Sequence, residues 1–203
     1  MQIHDIFPTG IGISNIDFLP SEEHEYLLNL KYHNHNTYDL VVTEDKHVLN
    51  NNIPTIKQFI EQQLTEFAPK ILGTNQKLKF LQSWCTKHDG VPQKMFAHTH
   101  QNSIISGVYY VNATKENEGI TFYKLNEYNE KYITWKTETD LVEKYPWNWQ
   151  WAKFPVNTGL LILFPSQLKH AVTGTLSTNI RCSLAFNTWF DGPIGDEYCF
   201  SEL

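Results

Sequence analysis

At 203 residues, with 41% hydrophobic and 19% charged residues, the chain is long enough to bury a full core and too apolar to be a disordered tail. A net charge of −6 and a pI near 5.8, with no basic stripe, exclude general nucleic-acid binding. Three cysteines, Cys85, Cys182 and Cys199, lack metal-type spacing and an even count, which excludes a disulfide framework or a zinc knuckle.

Met1-Gln2-Ile3-His4-Asp5 has neither the basic start nor the apolar stretch of an export signal, and no run is long enough to span a bilayer. The expected location is the cytoplasm, with no membrane partner. Residues Ile6 to Ile16 mix apolar side chains with Gly10 and Gly12, the pattern of an opening strand with a bend. Ser21-Glu22-Glu23 supplies an N-cap and first-turn acids for a short helix through Leu30. His33 and His35, set among Asn34, Asn36 and Thr37, read as a polar loop. From Pro54 to Ile71, the residues Ile56, Phe59, Ile60, Leu64 and Phe67 recur at helical spacing, with Pro54 placed in the first turn.

Leu78 to Trp84 reads as a strand, and Lys87 to Met95, with Asp89-Gly90 and Pro92, as a loop. Loops beside reactive sites often carry substrate contacts, and His88, Gln93 and Lys94 are the candidates here. Ile104 to Val111 is a strand, Asn112 to Glu118 a polar turn, and Gly119 to Phe122 its expected hairpin partner. If the chain is extended, Trp147, Trp149 and Trp151 place three indoles on one face. That face either packs on the sheet or forms an aromatic lid that touches substrate through Trp149. Thr158 to Phe164 is a continuous apolar run and so a core strand. His170 opens the next short strand, Arg181 to Trp189 is the last long one, and the tail is expected to cap the barrel mouth. Eight or more strands, two early helices and no βαβ alternation give a mainly β fold, a double-stranded β-helix or jelly roll of the cupin kind. A β-sandwich without a pocket is the alternative. One domain is expected over 1–203, with 1–75 as scaffold and the jelly-roll core at about 76–192.

The residues with metal chemistry are His98, His100 and His170. In an extended chain i and i+2 share a face, so His98 and His100 can aim two nitrogens at one point. A solvated strand face explains the pair equally well. The weight comes from the later segments Phe164-Pro165-Ser166-Gln167-Leu168-Lys169-His170-Ala171-Val172 and Arg181-Cys182-Ser183, which add a distant third histidine and an arginine eleven residues beyond it.

With Ser106-Gly107-Val108-Tyr109-Tyr110-Val111 and Phe186-Asn187, these segments resemble the 2-oxoglutarate and Fe(II)-dependent dioxygenases, and most closely a small bacterial and phage branch of them. The opening Ile6-Phe7-Pro8-Thr9 is also similar to that branch, so the resemblance covers nearly the whole chain. It implies Fe(II) as cofactor, 2-oxoglutarate and O2 as cosubstrates, and hydroxylation of an unidentified small-molecule or macromolecular substrate. Carried over, His98 and His170 are iron ligands. His100 stands where the wider superfamily has a carboxylate. It is itself the third ligand, or it leaves that position to water or halide, or a remote acid such as Glu118 or Asp89 serves. Arg181 corresponds to the anchor of the 5-carboxylate, with Ser183 and Tyr110 as further donors. Trp84 and Thr86 resemble a Trp-x-Asn element in which Thr86 departs from the asparagine. The other functions open to these residues are a three-histidine cupin dioxygenase that does not use 2-oxoglutarate and a non-catalytic jelly-roll module. A homodimer is compatible with the sequence.

Overall fold

A computed structural model describes residues 1–5, 8–35, 40–88, 96–114, 118–124, 138–174, 180–195 and 198–201. Among the described residues ten strands form two antiparallel sheets, and the two longer helices fall between the first strand and the fourth. The strands are β1 (Gly12–Asn15), β2 (Tyr32–His35), β3 (Leu40–Thr43), β4 (Leu78–His88), β5 (Ile105–Asn112), β6 (Glu118–Tyr123), β7 (Trp151–Pro155), β8 (Leu160–Pro165), β9 (His170–Gly174) and β10 (Arg181–Phe190). The helices are α1 (Ser21–Leu28), α2 (Pro54–Leu72) and a short α3 (Thr139–Lys144) that the sequence did not suggest. The large sheet runs β1-β8-β5-β10-β4-β3-β2 and the small one β7-β6-β9. Two facing antiparallel sheets of this kind make the expected jelly roll.

Alternation along the large sheet separates two cores. Tyr109, Val111, Leu161, Leu163, Cys182, Leu184 and Phe186 point outward and bury Ile56, Ile60, Leu64 and Ala68 of α2. Tyr110, Leu160, Ile162 and Phe164 point inward to meet Ile120 and Phe122 of the small sheet. The strand β8 is thus apolar on both faces, which is why its sequence shows no alternation. Pro54 starts α2, and Gly73, at φ 68°, ends it in the left-handed region that glycine tolerates. Both oxygens of Glu23 in α1 accept the Thr55 and Ile56 N–H groups at the exposed start of α2, at 2.8 and 2.9 Å.

Gly107 faces α2 where a side chain has no room. A Cβ there would overlap the Phe186 ring and come within 2.8 Å of Leu163 Cδ2. Gly107→Ala is therefore expected to destabilise the protein by roughly 1 to 3 kcal/mol, the range for overpacked cores, read as a lower thermal unfolding midpoint.

Five expectations change. Lys87 and His88 do not open a loop; they continue β4, where Cys182 and Arg181 of β10 pair with them. The strand β6 does not form a hairpin with β5; it crosses to the small sheet, between β7 and β9. An apolar alternating strand after a polar turn looks alike in both cases, and the need to cover Tyr110 and Phe164 decides the outcome. Pro146 begins a 3-10 turn over Pro146–Asn148, so Trp147, Trp149 and Trp151 do not lie along one extended strand. His33 and His35 belong to the edge strand β2 rather than a loop, because β3 offers them a ladder. The opening strand is confined to Gly12–Asn15 among the described residues.

Candidate metal and cosubstrate site

The three histidines meet where the approach to β5 is sewn to the start of β9. His98 lies outside any regular strand, but it exchanges both backbone hydrogen bonds with His170, each at 2.9 Å. His100 donates its N–H to Ser166 O at 2.9 Å, which ties it to the turn between β8 and β9. These four residues hold the segment extended enough for the i, i+2 argument to apply. The ring centroids are 4.5 Å apart for His98 and His170, 5.1 Å for His100 and His170, and 5.2 Å for His98 and His100. One nitrogen from each lies within 4.8 Å of the others.

The ring edges are assigned by their neighbours. His98 Nδ1 is 3.0 Å from Phe96 O, and His170 Nδ1 is 2.9 Å from Leu168 O. A carbonyl can only accept, so each Nδ1 carries a proton and Nε2 is the nitrogen left to face a metal. His100 Nε2 stands 3.3 Å from His170 Nε2. Two nitrogens each about 2.1 Å from one ion are roughly 3.0 Å apart at a right angle and roughly 3.4 Å apart at a tetrahedral one. The observed separation falls in that interval, so the donor set fits a divalent ion.

Electrostatics favours neutral rings. Burial pulls His170 down from the ordinary imidazole value of 6.5 to about 3; its hydrogen bond to Leu168 O opposes this, and the other two imidazoles reinforce it. Burial also lowers His100 to about 4, helped by His98 and partly offset by a hydrogen bond with the Asn187 side chain. Both therefore offer lone pairs at neutral pH. In metal-free protein the folded values lie below 6.5, so the unfolded chain takes up these protons first as pH falls. The stability they contribute is complete above pH 6.5 and is lost as pH drops towards about 3. We expect the unfolding midpoint of the apo protein to fall between pH 6.5 and 4, and His170→Asn to flatten that slope, as measured by thermal melts at fixed ionic strength.

Trp84 of β4 stacks on His100, with centroids 6.0 Å apart and planes at 21°. Its cross-strand partner is Ala185 of β10. From there the β4–β10 register runs unbroken to Arg181, pairing Ser183 with Thr86 and Arg181 with His88. On the other side Ser183 faces Tyr110 of β5. Arg181, Ser183 and Ala185 thus share the inner face, since Cys182 and Leu184 pack outward against the helices. Arg181 is 5% exposed and Tyr110 1%, so a guanidinium and a phenol sit deep inside the barrel. Arg181 lies four residue steps from Ala185, about 13 Å of strand at ~3.3 Å per residue. A row of Thr86, Ser183 and Tyr110 lies between the histidines and the arginine.

The remaining candidates divide. Gln93, Lys94 and Asp89 lie outside the described residues, as does the Glu118 side chain. The only group of metal-ligating side chains among the described residues is the histidine triad, which contains no carboxylate. Trp149 is 38% exposed and donates its Nε1–H to Val142 O at 2.9 Å. It is at the same end of the barrel as His170, because Tyr123 bonds Lys169 O and Lys124 bonds Gln150 O. Sequence reasoning does not single out Asn187 or the serines behind it; only Ser106, between Ile105 and Gly107 at the start of an apolar strand, stands out. No helix among the described residues is long and apolar enough to cross a membrane.

The family model of 2OG-Fe(II) oxygenases matches residues 82–187. No curated protein matches the chain. Among solved structures it is similar to HygX from Streptomyces hygroscopicus with nickel and 2-oxoglutarate bound, at 12% identity and a TM-score of 0.58 over 89% of this chain and 82% of that one. It is likewise similar to EctD from S. alaskensis with bound Fe, at 12% identity and 0.59 over 89% and 72%. The carbocyclase SnoK from nogalamycin biosynthesis aligns at 11% identity and 0.58 over 91% and 81%.

Proposed function

The chain belongs to the 2OG-Fe(II) oxygenases, and from that premise we propose that His98, His100 and His170 together hold the iron, that Arg181 anchors 2-oxoglutarate, and that the reaction is a hydroxylation. Membership sets aside both a non-catalytic module and a cupin dioxygenase that dispenses with 2-oxoglutarate. Bound there, Fe(II) and 2-oxoglutarate supply the oxidation: one atom of O2 ends in succinate, the other in the hydroxyl group of the product, and CO2 leaves.

The observation that carries the reading is the convergence of three imidazoles, one ligand nitrogen of each within 4.8 Å of the others, with the Nδ1 edges of His98 and His170 held by main-chain carbonyls. Three neutral ligands leave a ferrous ion its full double positive charge, so the dianionic cosubstrate makes a neutral complex. A carboxylate in place of His100 would make it −1. The histidine therefore strengthens attraction for 2-oxoglutarate. At the far end of the row Arg181 takes the 5-carboxylate through two parallel N–H donors, and Ser183 and Tyr110 add hydroxyl donors. Buried apolar walls from Ile162, Phe164 and Phe122 exclude water from the space between. Substrate enters over the end of the barrel that holds Trp149; Gln93 and Lys94, which lie outside the described residues, are the further candidates from the sequence. Residues 1–75 serve as scaffold for this single domain, which acts in the cytoplasm.

The test is turnover without added substrate. Protein reconstituted with Fe(II) should convert 2-oxoglutarate slowly to succinate, and anaerobic addition of 2-oxoglutarate should produce a weak visible charge-transfer band. Iron-loaded protein that gives neither would refute the proposal.

A further inference from the structure

Of the three imidazoles, His98 and His170 have their orientation set by a backbone carbonyl two residues earlier, and His100 does not. Its ring stacks with Trp84 and His170, lies beside His98 and the edge of Phe164, and shares a hydrogen bond with the side chain of Asn187. With Nε2 turned to the other histidines, the nitrogen left for Asn187 is Nδ1.

Asn187 does not stand alone. Ser106 Oγ donates to its Oδ1 at 2.8 Å, and Ser106 Oγ lies 2.8 Å from Ser166 Oγ. Ser166 Oγ is 2.7 Å from Ser103 Oγ, which donates onward to Thr188 O at 3.2 Å. The three serines are no more than 5% exposed, so water does not substitute for these partners. Each hydroxyl has one proton to give. Ser103 gives its proton to a carbonyl and Ser106 gives its own to the amide oxygen of Asn187, which leaves that oxygen between Ser106 and His100. That oxygen has a second lone pair.

We infer that Asn187, held by the Ser103–Ser166–Ser106 chain, is the positioning residue for His100: its Oδ1 accepts the Nδ1 proton and so presents Nε2 to the metal, as main-chain carbonyls do for His98 and His170. The inference rests on the reading that His100 is a ligand. It explains why three serines from separate segments, before β5, in β5 and after β8, are gathered in an otherwise apolar interior. An aspartate at 187 preserves the acceptor, leucine removes it, and Ser106→Ala frees the amide to rotate.

The probe is Co(II) in place of iron, followed by its visible ligand-field bands, with the apparent affinity read from the same titration. Asn187→Leu should weaken Co(II) about 10- to 100-fold, the usual effect of losing an outer partner of a metal ligand, and alter the band pattern. Asn187→Asp should retain the wild-type pattern, and Ser106→Ala should fall between. Wild-type spectra and affinity in both Asn187→Leu and Ser106→Ala overturn the inference. So does an Asn187→Asp protein as impaired as Asn187→Leu. Should Asn187→Leu fail to fold, Ser106→Ala decides by the same criterion. His100→Gln separates the two layers: if it leaves the Co(II) spectrum unchanged, the ligand assignment itself fails, whereas a changed spectrum there beside unchanged Asn187 variants removes only the positioning role.

Discussion

Arg181→Met is expected to weaken 2-oxoglutarate by two to three orders of magnitude while leaving iron affinity within a few-fold of wild type. The guanidinium is 5% exposed on the inner face of β10, with Ser183 as its same-face neighbour and Tyr110 across the sheet. Two charge-assisted hydrogen bonds to a buried carboxylate are together worth about 3 to 4 kcal/mol, and each 1.4 kcal/mol is a factor of ten. Methionine keeps most of the volume, so the walls of the cavity stay in place. Lysine at 181 should recover part of the loss, since it restores charge without the planar fork. Anaerobic titration of the charge-transfer band in the three proteins gives the ranking directly. Equal affinities for arginine and methionine would detach Arg181 from the cosubstrate.

His170→Ala is expected to abolish turnover and lower Fe(II) affinity by at least about a thousandfold, because it removes one of three donors and opens a void beside the other two. His170 is 4% exposed and its backbone bridge to His98 is independent of the side chain, so the extended segment should survive. His100→Asp makes a sharper contrast. It should still bind iron, but the complex with 2-oxoglutarate would carry an extra negative charge, and cosubstrate affinity should fall. Iron content after anaerobic desalting and succinate release check both variants. A His170→Ala protein that keeps stoichiometric iron would break the triad.

Much of this site is legible in the sequence because strand parity is local. His98 with His100, and Arg181 with Ser183, are i, i+2 pairs whose shared face needs only an extended backbone. The order of apolar strands likewise marks which segments are buried on both sides, as Leu160 to Phe164 shows. Pairing between sheets is not local. The polar turn after β5 permits a hairpin or a crossover, and only the demand for a second sheet over Tyr110 and Phe164 selects the crossover. The tryptophan segment does not form one extended face because Pro146 starts a 3-10 turn before the strand resumes at Trp151. The serine chain behind His100 was invisible for a related reason. Ser103, Ser106, Ser166 and Asn187 come from four separate places, and nothing in any one of them signals the other three.

In the proposed site three imidazoles share one ion, with the arginine behind it. A crystal structure of the protein prepared anaerobically with Fe(II) and 2-oxoglutarate, with the ion located by its anomalous signal, tests this most directly. The prediction is iron about 2.1 to 2.2 Å from Nε2 of His98, His100 and His170, with the far carboxylate of 2-oxoglutarate on the Arg181 guanidinium. Iron held without His100 or His170, or 2-oxoglutarate lying away from Arg181, would contradict it.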